Sequence, residues 1–290
     1  MSAASIYMSR RLTNVLAMIL SACATALGLL FLVWILLVTA RNGLSAFHVS
    51  LFTKITAYAD QGGLSNAIVG SLIMDLMALM ICAPIGVLAG VYLAEYASRT
   101  RLGTTIRFLN DILLSAPSIV MGLFVYVIIV LPMSHLTNGG ISFSGFAGSV
   151  ALALIGLPVI VRTTDEMLHL VPGTLREAAL SLGVPKWKLT VQILIRAASS
   201  GILTGVLLAL ARLAGETAPL LFTAFGNNFM TVHPLDEMAS LPIAIYQYTN
   251  DPSPALHSIA WAGALLITIF VLTLSLITRF LFSRKKVTYE

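Results

Sequence analysis

Residues 64–94 read LSNAIVGSLIMDLMALMICAPIGVLAGVYLA, and this stretch shows which solvent the chain is built for. It is apolar almost throughout, and Asp75 is its only charged side chain. The hydrocarbon core of a bilayer is about 30 Å thick and takes ~20 apolar residues to cross as a helix. A strand of a membrane barrel would instead show ~10 residues of alternating polarity. We therefore predict a transmembrane helix, which satisfies its own backbone groups in lipid.

The same criterion gives five more apolar runs, and the six predicted spans cover residues 14–38, 64–94, 107–131, 144–161, 197–222 and 258–282. Hydrophobic residues make up 58% of the chain and charged residues 10%, whereas soluble proteins carry about 25% charged residues. The first run is longer than the apolar core of a signal peptide, so it is expected to be retained. We predict an all-α, polytopic protein in which residues 1–290 form a single transmembrane domain.

Lysine and arginine are distributed unevenly between the two sides of these spans. If the N-terminus is cytoplasmic, the inward segments hold fourteen of the 17 basic residues, with Arg284, Lys285 and Lys286 among them. The outward segments hold only Arg41 and Lys54. Because cytoplasmic loops are enriched in Lys and Arg, both termini are predicted to be cytoplasmic. The net charge of +5 is then explained without a nucleic-acid partner.

No motif of a catalytic or metal-binding site is present. The chain lacks the phosphate-binding loop GxxxxGK[ST], and it also lacks HExxH, GxSxG and GxGxxG. Its five histidines are isolated, and Cys23 and Cys82 lie in apolar runs without a CxxC partner. We therefore predict that the chain is not an enzyme, does not hydrolyse ATP itself, and holds no metal ion or cofactor of its own.

The longest inward segment, residues 162–196, carries signals for two short helices. Thr174 and Glu177 form the T-x-x-E pattern of a capping box, Gly183 suits a helix stop with positive φ, and Pro185 suits the first turn of a second helix. An ordinary connecting loop, a helix-turn-helix for DNA and a docking element for a cytoplasmic protein are the three interpretations. DNA binding is disfavoured because both ends are tied to membrane helices. The apolar face of the first helix suits a groove on a partner.

The order of these residues resembles the EAA loop of bacterial ABC importer permeases. Glu-Ala-Ala at 177–179 is followed after three residues by Gly183, and Ile193 matches the distal end of the loop. Ile195 and Arg196 stand where that family has Leu and Pro. The resemblance assigns coupling to a cytoplasmic ATPase to four residues, Glu177, Ala178, Ala179 and Gly183.

Four longer blocks resemble a narrower family, the A-type permease subunits of phosphate-specific ABC importers. The blocks are AGVYLAEY (89–96), IRFLNDILLSAPSIVMGLFVY (106–126), REAALSLGVPKWK (176–188) and ARLAGETAPLLFTA (211–224). The resemblance implies a MetI-like fold of six helices in a bacterial inner membrane. It also implies a heterodimer with a second permease subunit, two copies of an ATPase that carry the ATP and Mg²⁺, and a periplasmic phosphate-binding protein.

The last of these blocks places Arg212 and Glu216 inside an apolar run. A charge at mid-bilayer costs ~3 kcal/mol, and the i, i+4 spacing is expected to put both charges on one helix face, turned away from lipid. One interpretation is a buried ion pair that fixes helix packing. The other is an anion site, in which the planar guanidinium meets two phosphate oxygens and Glu216 prevents binding that is too tight for release. The resemblance favours the anion site.

Three further residues are candidates for the substrate pathway: Thr217, Arg162 and Asp75. Thr217 would add a hydroxyl, and Arg162 would either receive the anion at the inner side or anchor its helix there. Asp75 lies at a depth that matches Arg212, so it would pair with that residue or bond a neighbouring hydroxyl. Asp111 is expected to pair with Arg107 four residues earlier. Gly215 and Pro219 are expected to weaken the helix and leave backbone amides free.

Together these patterns predict the translocation subunit of an ATP-driven importer that passes inorganic phosphate from a periplasmic binding protein to the cytoplasm. The chemical alternative is a permease for sulfate or molybdate, because other tetrahedral oxyanions also fit an arginine fork. An ion-coupled secondary carrier, which needs no ATPase, and a permease used mainly to signal phosphate status also remain open.

Overall fold

A computed structural model describes residues 3–56, 62–136 and 142–283, and these residues form helices joined by turns and loops, with no β-strand. The helices are α1 (Ala3–Ser45), α2 (Ser50–Thr53), α3 (Ser65–Glu95), α4 (Arg101–Ser115), α5 (Ser118–Val125), α6 (Leu131–Leu136), α7 (Gly145–His169), α8 (Gly173–Ser181), α9 (Lys186–Lys188), α10 (Ile195–Leu213), α11 (Ala218–Leu221), α12 (Leu241–Asn250) and α13 (Pro254–Ser283). Turns of π-helix, Tyr126–Val130 and Leu189–Leu194, connect α5 to α6 and α9 to α10. The prediction of an all-α, polytopic protein is confirmed.

Five of the six predicted spans correspond to helices that are long and apolar enough to cross a membrane. These are α1, α3, α7, the continuous stretch Lys186–Leu213, and α13. The remaining run, which is the third along the chain and was predicted over 107–131, is not one straight helix. Its two parts, Arg101–Ser115 and Ser118–Ser134, meet at an angle of 101°. The described part of the chain therefore has six spans if this bent pair counts as one.

The bend in the third span has a local cause in Ala116 and Pro117. Proline disfavours helical backbone at the residue before it, and Ala116 has an extended ψ of 137°. Pro117 also has no N–H to continue the helical ladder. The charged residues of the predicted run, Arg107 and Asp111, lie near its start, and the sequence around Ala116 is mainly apolar, so hydropathy alone could not reveal the break.

Two predicted boundaries also move. Helix α7 continues to His169, so the first part of the predicted inward loop 162–196 is helical and belongs to the fourth span. Helix α10 ends at Leu213, well before the predicted end of the fifth span at residue 222. Residues 284–290 lie outside the described residues, and with them the three basic residues counted near the C-terminus.

The centre of the bundle is the contact between α3 and α7. Gly86 and Gly90 are one turn apart on α3, and they face Ile160 and Thr164 of α7. A Cβ atom built at Gly90 would lie 2.6 Å from Cβ of Thr164, so only glycine permits this approach. Small residues spaced by four let membrane helices pack backbone to backbone. This pair of helices is the frame to which the site below is attached.

Helix α10 runs antiparallel to α7 on the same frame. Gly201 lies against Met167, Gly205 against Thr163, and Leu213 against Gly156. The register fixes the level of α10 residues relative to α7. In contrast, most of α1 is exposed, and only its C-terminal end, around Gly43, packs against α13.

Candidate functional site

The two intramembrane charges lie where α10 stops. The helix ends at Leu213, a turn follows, and α11 begins at Ala218. The backbone N–H of Gly215 donates to the carbonyl of Arg212 at 3.3 Å, and that of Glu216 donates to Leu213 at 3.0 Å. The expectation that Gly215 leaves amides free is therefore wrong for these two N–H groups, which the turn uses.

Arg212 and Glu216 form an ion pair, with 3.6 Å between Arg212 Nε and Glu216 Oε1. The pairing was expected, but not its geometry, because Glu216 lies beyond the helix end rather than on the face of α10 that carries Arg212. The break lets the carboxylate fold back toward the guanidinium. The pair is thus built by a turn, not by helical periodicity.

The two side chains differ in exposure, and this difference bears on their chemistry. The Arg212 side chain is 41% exposed and that of Glu216 only 17%. Among the residues that the structure describes, the guanidinium donates no hydrogen bond. An arginine has five N–H donors in a planar fork, so most of them remain available at the subunit surface. The site can receive an oxyanion without first breaking a hydrogen bond.

Asp75 of α3 is buried, with 6% of its surface exposed. It lines a crevice of about 160 Å³ together with Ser71, Leu241 and Ala214. Ala214 is two residues after Arg212 in the chain. Within the described residues Asp75 forms no ion pair, so the expected pairing with Arg212 is not observed. Among the described residues no hydrogen bond joins Ser71 to Asp75; the Ser71 hydroxyl accepts from the Leu241 N–H at 2.8 Å. A role of Asp75 in the pathway stays a prediction.

Arg162 lies on α7 and is held by two carboxylates. Its Nε lies 2.8 Å from Glu166 Oε1, and its Nη1 lies 3.5 Å from Asp111 Oδ1. Arg162 neighbours Thr163, which is level with Gly205, so it lies about 10 Å along the bundle axis from Arg212 at 1.5 Å per residue. Two carboxylates partly neutralise the charge of Arg162. This makes Arg162 a weaker candidate for receiving the anion at the inner side.

The predicted pair of Arg107 and Asp111 is wrong. Arg107 instead donates from Nε and Nη2 to the two carboxylate oxygens of Asp165 at 2.7 and 3.0 Å, and also to the carbonyl of Leu93. The four-residue spacing suggested a local pair, but α7 offers a better-placed acid. The contact ties α3, α4 and α7 together at one end of the bundle.

Thr217 precedes α11 and is half-buried beside the Arg212–Glu216 pair. Its side chain does not cap the short helix. The residue is therefore near enough in sequence to line the site, and its contribution of a hydroxyl stays a prediction.

The corner that resembles the EAA loop consists of α8 and α9. Gly183 has φ of +73° and ends α8 as expected. The capping box is wrong, because α8 begins at Gly173 after Pro172, and Thr174 lies inside it without capping. Ala179 is buried, while Glu177 and Ala178 are exposed. The exposed part of α8 is therefore available to a partner.

A link between this corner and α3 was missed by sequence reasoning. Arg176 Nη2 donates to Glu95 Oε1 at 2.8 Å, and the Glu95 side chain is only 7% exposed. Arg176 also donates to the carbonyls of Val171 and Leu168. Both charged residues lie in the blocks that carry the resemblance, but neither spacing nor periodicity relates two positions so far apart in the chain.

Comparison with known proteins gives consistent results. The family described as "Binding-protein-dependent transport system inner membrane component" matches residues 86–287. The chain is 52% identical to the "Phosphate transport system permease protein PstA" of Xylella fastidiosa, over 99% of both chains. It is 48% identical to the protein of that name from Yersinia pestis, over 96% of this chain and 92% of the other.

Among solved structures, the chain is similar to a chain of the MetNI methionine ABC transporter in an inward-facing conformation. The TM-score is 0.55 at 19% sequence identity, and the match covers 76% of this chain and 92% of that chain. At this identity the likeness concerns the fold alone. The expected MetI-like fold is confirmed.

Proposed function

The chain belongs to the family of binding-protein-dependent transport system inner membrane components, and we propose that it is the permease subunit of an ATP-driven importer of inorganic phosphate. Its relatives named as phosphate transport system permeases cover nearly the whole chain. The family consists of membrane subunits that are not themselves ATPases. The chemistry is therefore transfer of an intact anion, with no covalent step.

The observation that carries the proposal is the Arg212 guanidinium at the end of α10. It is 41% exposed in the single subunit, and one carboxylate lies 3.6 Å away. A permanent charge with unused planar donors meets two oxygens of a phosphate. Glu216 keeps the empty site neutral and weakens anion binding, as conduction requires. Thr217 and Asp75 flank this position, and Arg162 lies nearer the inner end.

The proposed assembly contains other chains. A second permease subunit would face Arg212 across the pathway, and a periplasmic phosphate-binding protein would deliver the anion. A cytoplasmic ATPase dimer, which carries ATP and Mg²⁺, would dock at the α8–α9 corner through Glu177, Ala178 and Gly183. This arrangement places the chain in a bacterial inner membrane with both termini on the cytoplasmic side. It agrees with the excess of basic residues at the end of the bundle that carries α8, which we call the α8 end.

The arginine fork by itself does not distinguish phosphate from sulfate or molybdate, which are also tetrahedral oxyanions. Relatives 48–52% identical to this chain are named phosphate transport system permease proteins, which supports phosphate. The corner between α8 and α9 disfavours an ion-coupled carrier, because such a carrier has no ATPase to dock.

The proposal is tested with proteoliposomes that contain the full complex and the binding protein. We expect uptake of radiolabelled phosphate to require ATP, to persist when ion gradients are collapsed, and to resist a large excess of sulfate or molybdate. Uptake that follows an ion gradient without ATP would identify a secondary carrier. Competition by sulfate or molybdate at phosphate-like concentrations would reassign the anion.

A further inference from the structure

The α8 end of the bundle contains a crevice that the proposed pathway does not use. It has a volume of about 570 Å³ and lies between the end of α3, the end of α7 and the α8–α9 corner. Its walls combine basic, acidic and apolar side chains: Arg99, His169, Arg176, Lys186, Glu95, Leu180 and Leu189. We call it the Arg99–Lys186 crevice.

The crevice carries an excess of positive charge. Arg176 is neutralised by Glu95 at 2.8 Å. Neither Arg99 nor Lys186 forms an ion pair with any residue in the described ranges. Lys186 instead places its Nζ 4.7 Å from the centre of the Tyr96 ring, a contact that orients an ammonium group without cancelling its charge. Two uncompensated cations therefore face the same space.

The surroundings of the crevice indicate its depth. Tyr92 and Tyr96 stack with ring centres 6.3 Å apart, and each is 45% exposed. Trp187 is 58% exposed beside Lys186. Exposed tyrosine and tryptophan are enriched where lipid headgroups meet water. Leu180, which is 52% exposed, and the buried Leu189 also line the crevice. The crevice thus combines basic and apolar walls.

We propose that the Arg99–Lys186 crevice binds a phosphate oxyanion, in the form of an anionic phospholipid headgroup, on the cytoplasmic face. The inference rests on the proposed orientation of the chain. Basic pockets between membrane helices on the cytoplasmic side are sites for such headgroups, and Arg99 adds a planar fork for the phosphate oxygens. Free inorganic phosphate has the same chemistry, but it would fill little of 570 Å³ and would not need the apolar walls.

Occupancy of this site would act on the coupling corner. Arg99 follows the end of α3, whereas Lys186 belongs to α9. A headgroup phosphate held by both residues bridges the two elements, parallel to the Arg176–Glu95 ion pair. The lipid would restrain movement of the α8–α9 corner relative to the membrane helices when a partner protein binds α8.

The test uses the complete complex, purified with its ATPase subunit and exchanged into mixed micelles containing phosphatidylglycerol. Native mass spectrometry gives the affinity for phosphatidylglycerol of the wild type, of R99Q/K186Q, and of the control R101Q/K188Q. The control removes the same charge from exposed neighbours that do not line the crevice. We expect a loss of about tenfold or more only in R99Q/K186Q, since each basic residue contributes severalfold near an anionic surface. Binding of radiolabelled inorganic phosphate is measured on the same three complexes.

Each outcome decides the question. A selective loss of phosphatidylglycerol supports the headgroup site, and a selective loss of inorganic phosphate binding assigns the same oxyanion site to the free ion. Equal affinities in R99Q/K186Q and its control overturn the proposal. Dissociation of the ATPase subunit from R99Q/K186Q alone also overturns it, because the two cations would then contact the partner protein. Phosphate uptake by the wild-type complex, assayed in parallel, reports on the proposed function independently of lipid binding.

Discussion

The Arg212 guanidinium combines a permanent charge with donors that the subunit leaves unused. The carboxylate of Glu216 lies at 3.6 Å, outside ordinary hydrogen-bond distance, and is itself mostly buried. An anion that approaches the guanidinium therefore competes only with the electrostatic attraction of Glu216. It does not have to break a pair of hydrogen bonds to a carboxylate. This balance suits a site that must bind and release. It differs from the Arg107–Asp165 contact, where two short hydrogen bonds serve packing.

Glu216→Gln tests this balance. The change removes the counter-charge at nearly constant size, so Arg212 should retain phosphate longer and the maximal uptake rate should fall about tenfold. The attraction between two charges about 4 Å apart is ~1 kcal/mol in water and ~4 kcal/mol near a protein surface, and ~1.4 kcal/mol corresponds to a tenfold change. Initial rates at saturating binding protein provide the measurement. Glu237→Gln, at an exposed position of the long loop before α12, is the control. A maximal rate equal to that of the control would argue against a counter-charge role.

At the scale of elements, the α8–α9 corner depends on Gly183. Its φ of +73° is unfavourable for any residue with a side chain, although a Cβ there would meet no atom within 4 Å. Gly183→Val should therefore strain the backbone by ~1–3 kcal/mol without a steric clash. We expect uptake to fall severalfold while ATP hydrolysis continues, because the corner no longer transmits the movement.

The control for this change is Gly173→Val, in the same segment. A Cβ at Gly173 also meets no atom within 4 Å, and its φ is not positive. The ratio of phosphate transported to ATP hydrolysed is compared between the two variants. Equal ratios would remove the corner from the coupling mechanism.

The Arg176–Glu95 ion pair connects α8 to α3. Its loss should lower the stability of the folded complex. Arg176→Gln leaves a carboxylate that is 7% exposed without its cation, and breaking a buried pair costs ~3–5 kcal/mol. We expect the melting temperature of the purified complex to fall by several degrees, and the double variant with Glu95→Gln to recover most of that loss. A double-mutant cycle with no coupling between the two positions would disprove the link.

The sequence predicted most elements but not their interruptions. Apolar runs located every long helix, and Gly183 and Pro185 located the corner, because hydropathy and backbone preference are local properties. The bend at Ala116–Pro117 has a local cause, but it lay within a mainly apolar stretch where hydropathy does not change. The end of α10 at Leu213 moved Glu216 off the helix, so the ion pair was predicted for the wrong geometric reason. Partners from distant segments, such as Asp165 for Arg107, required the folded structure.

At the scale of the whole molecule, the account requires the α8 end to face the cytoplasm. Cysteine labelling tests this orientation in a background in which exposed Cys23 and buried Cys82 are replaced by alanine. Lys188→Cys, next to the corner, should react with an impermeant maleimide only in inside-out vesicles. Val232→Cys, which replaces a residue that is 66% exposed in the loop before α12, should react only in right-side-out spheroplasts. The reverse pattern would invert the topology.

The whole assembly also explains how charged residues persist in a chain this apolar. Most described ion pairs gather at the α8 end, where they hold α3, α4, α7 and α8 together. Arg212 and Glu216 stand apart from that network at the break after α10. An isolated ion pair at this position does not join helices as the other ion pairs do. Its position is consistent with a passage between subunits.

The most direct measurement is therefore phosphate uptake by proteoliposomes that carry the complex with Arg212→Gln. We predict a loss of about 100-fold or more, with unchanged assembly and retained ATPase activity, since the variant loses charge-assisted hydrogen bonds worth ~1.5–3 kcal/mol each. Arg212→Lys should recover only part of the rate, because a point charge lacks the planar fork, whereas Arg41→Lys on exposed α1 should have no effect. Normal uptake by Arg212→Gln at normal expression would contradict the account.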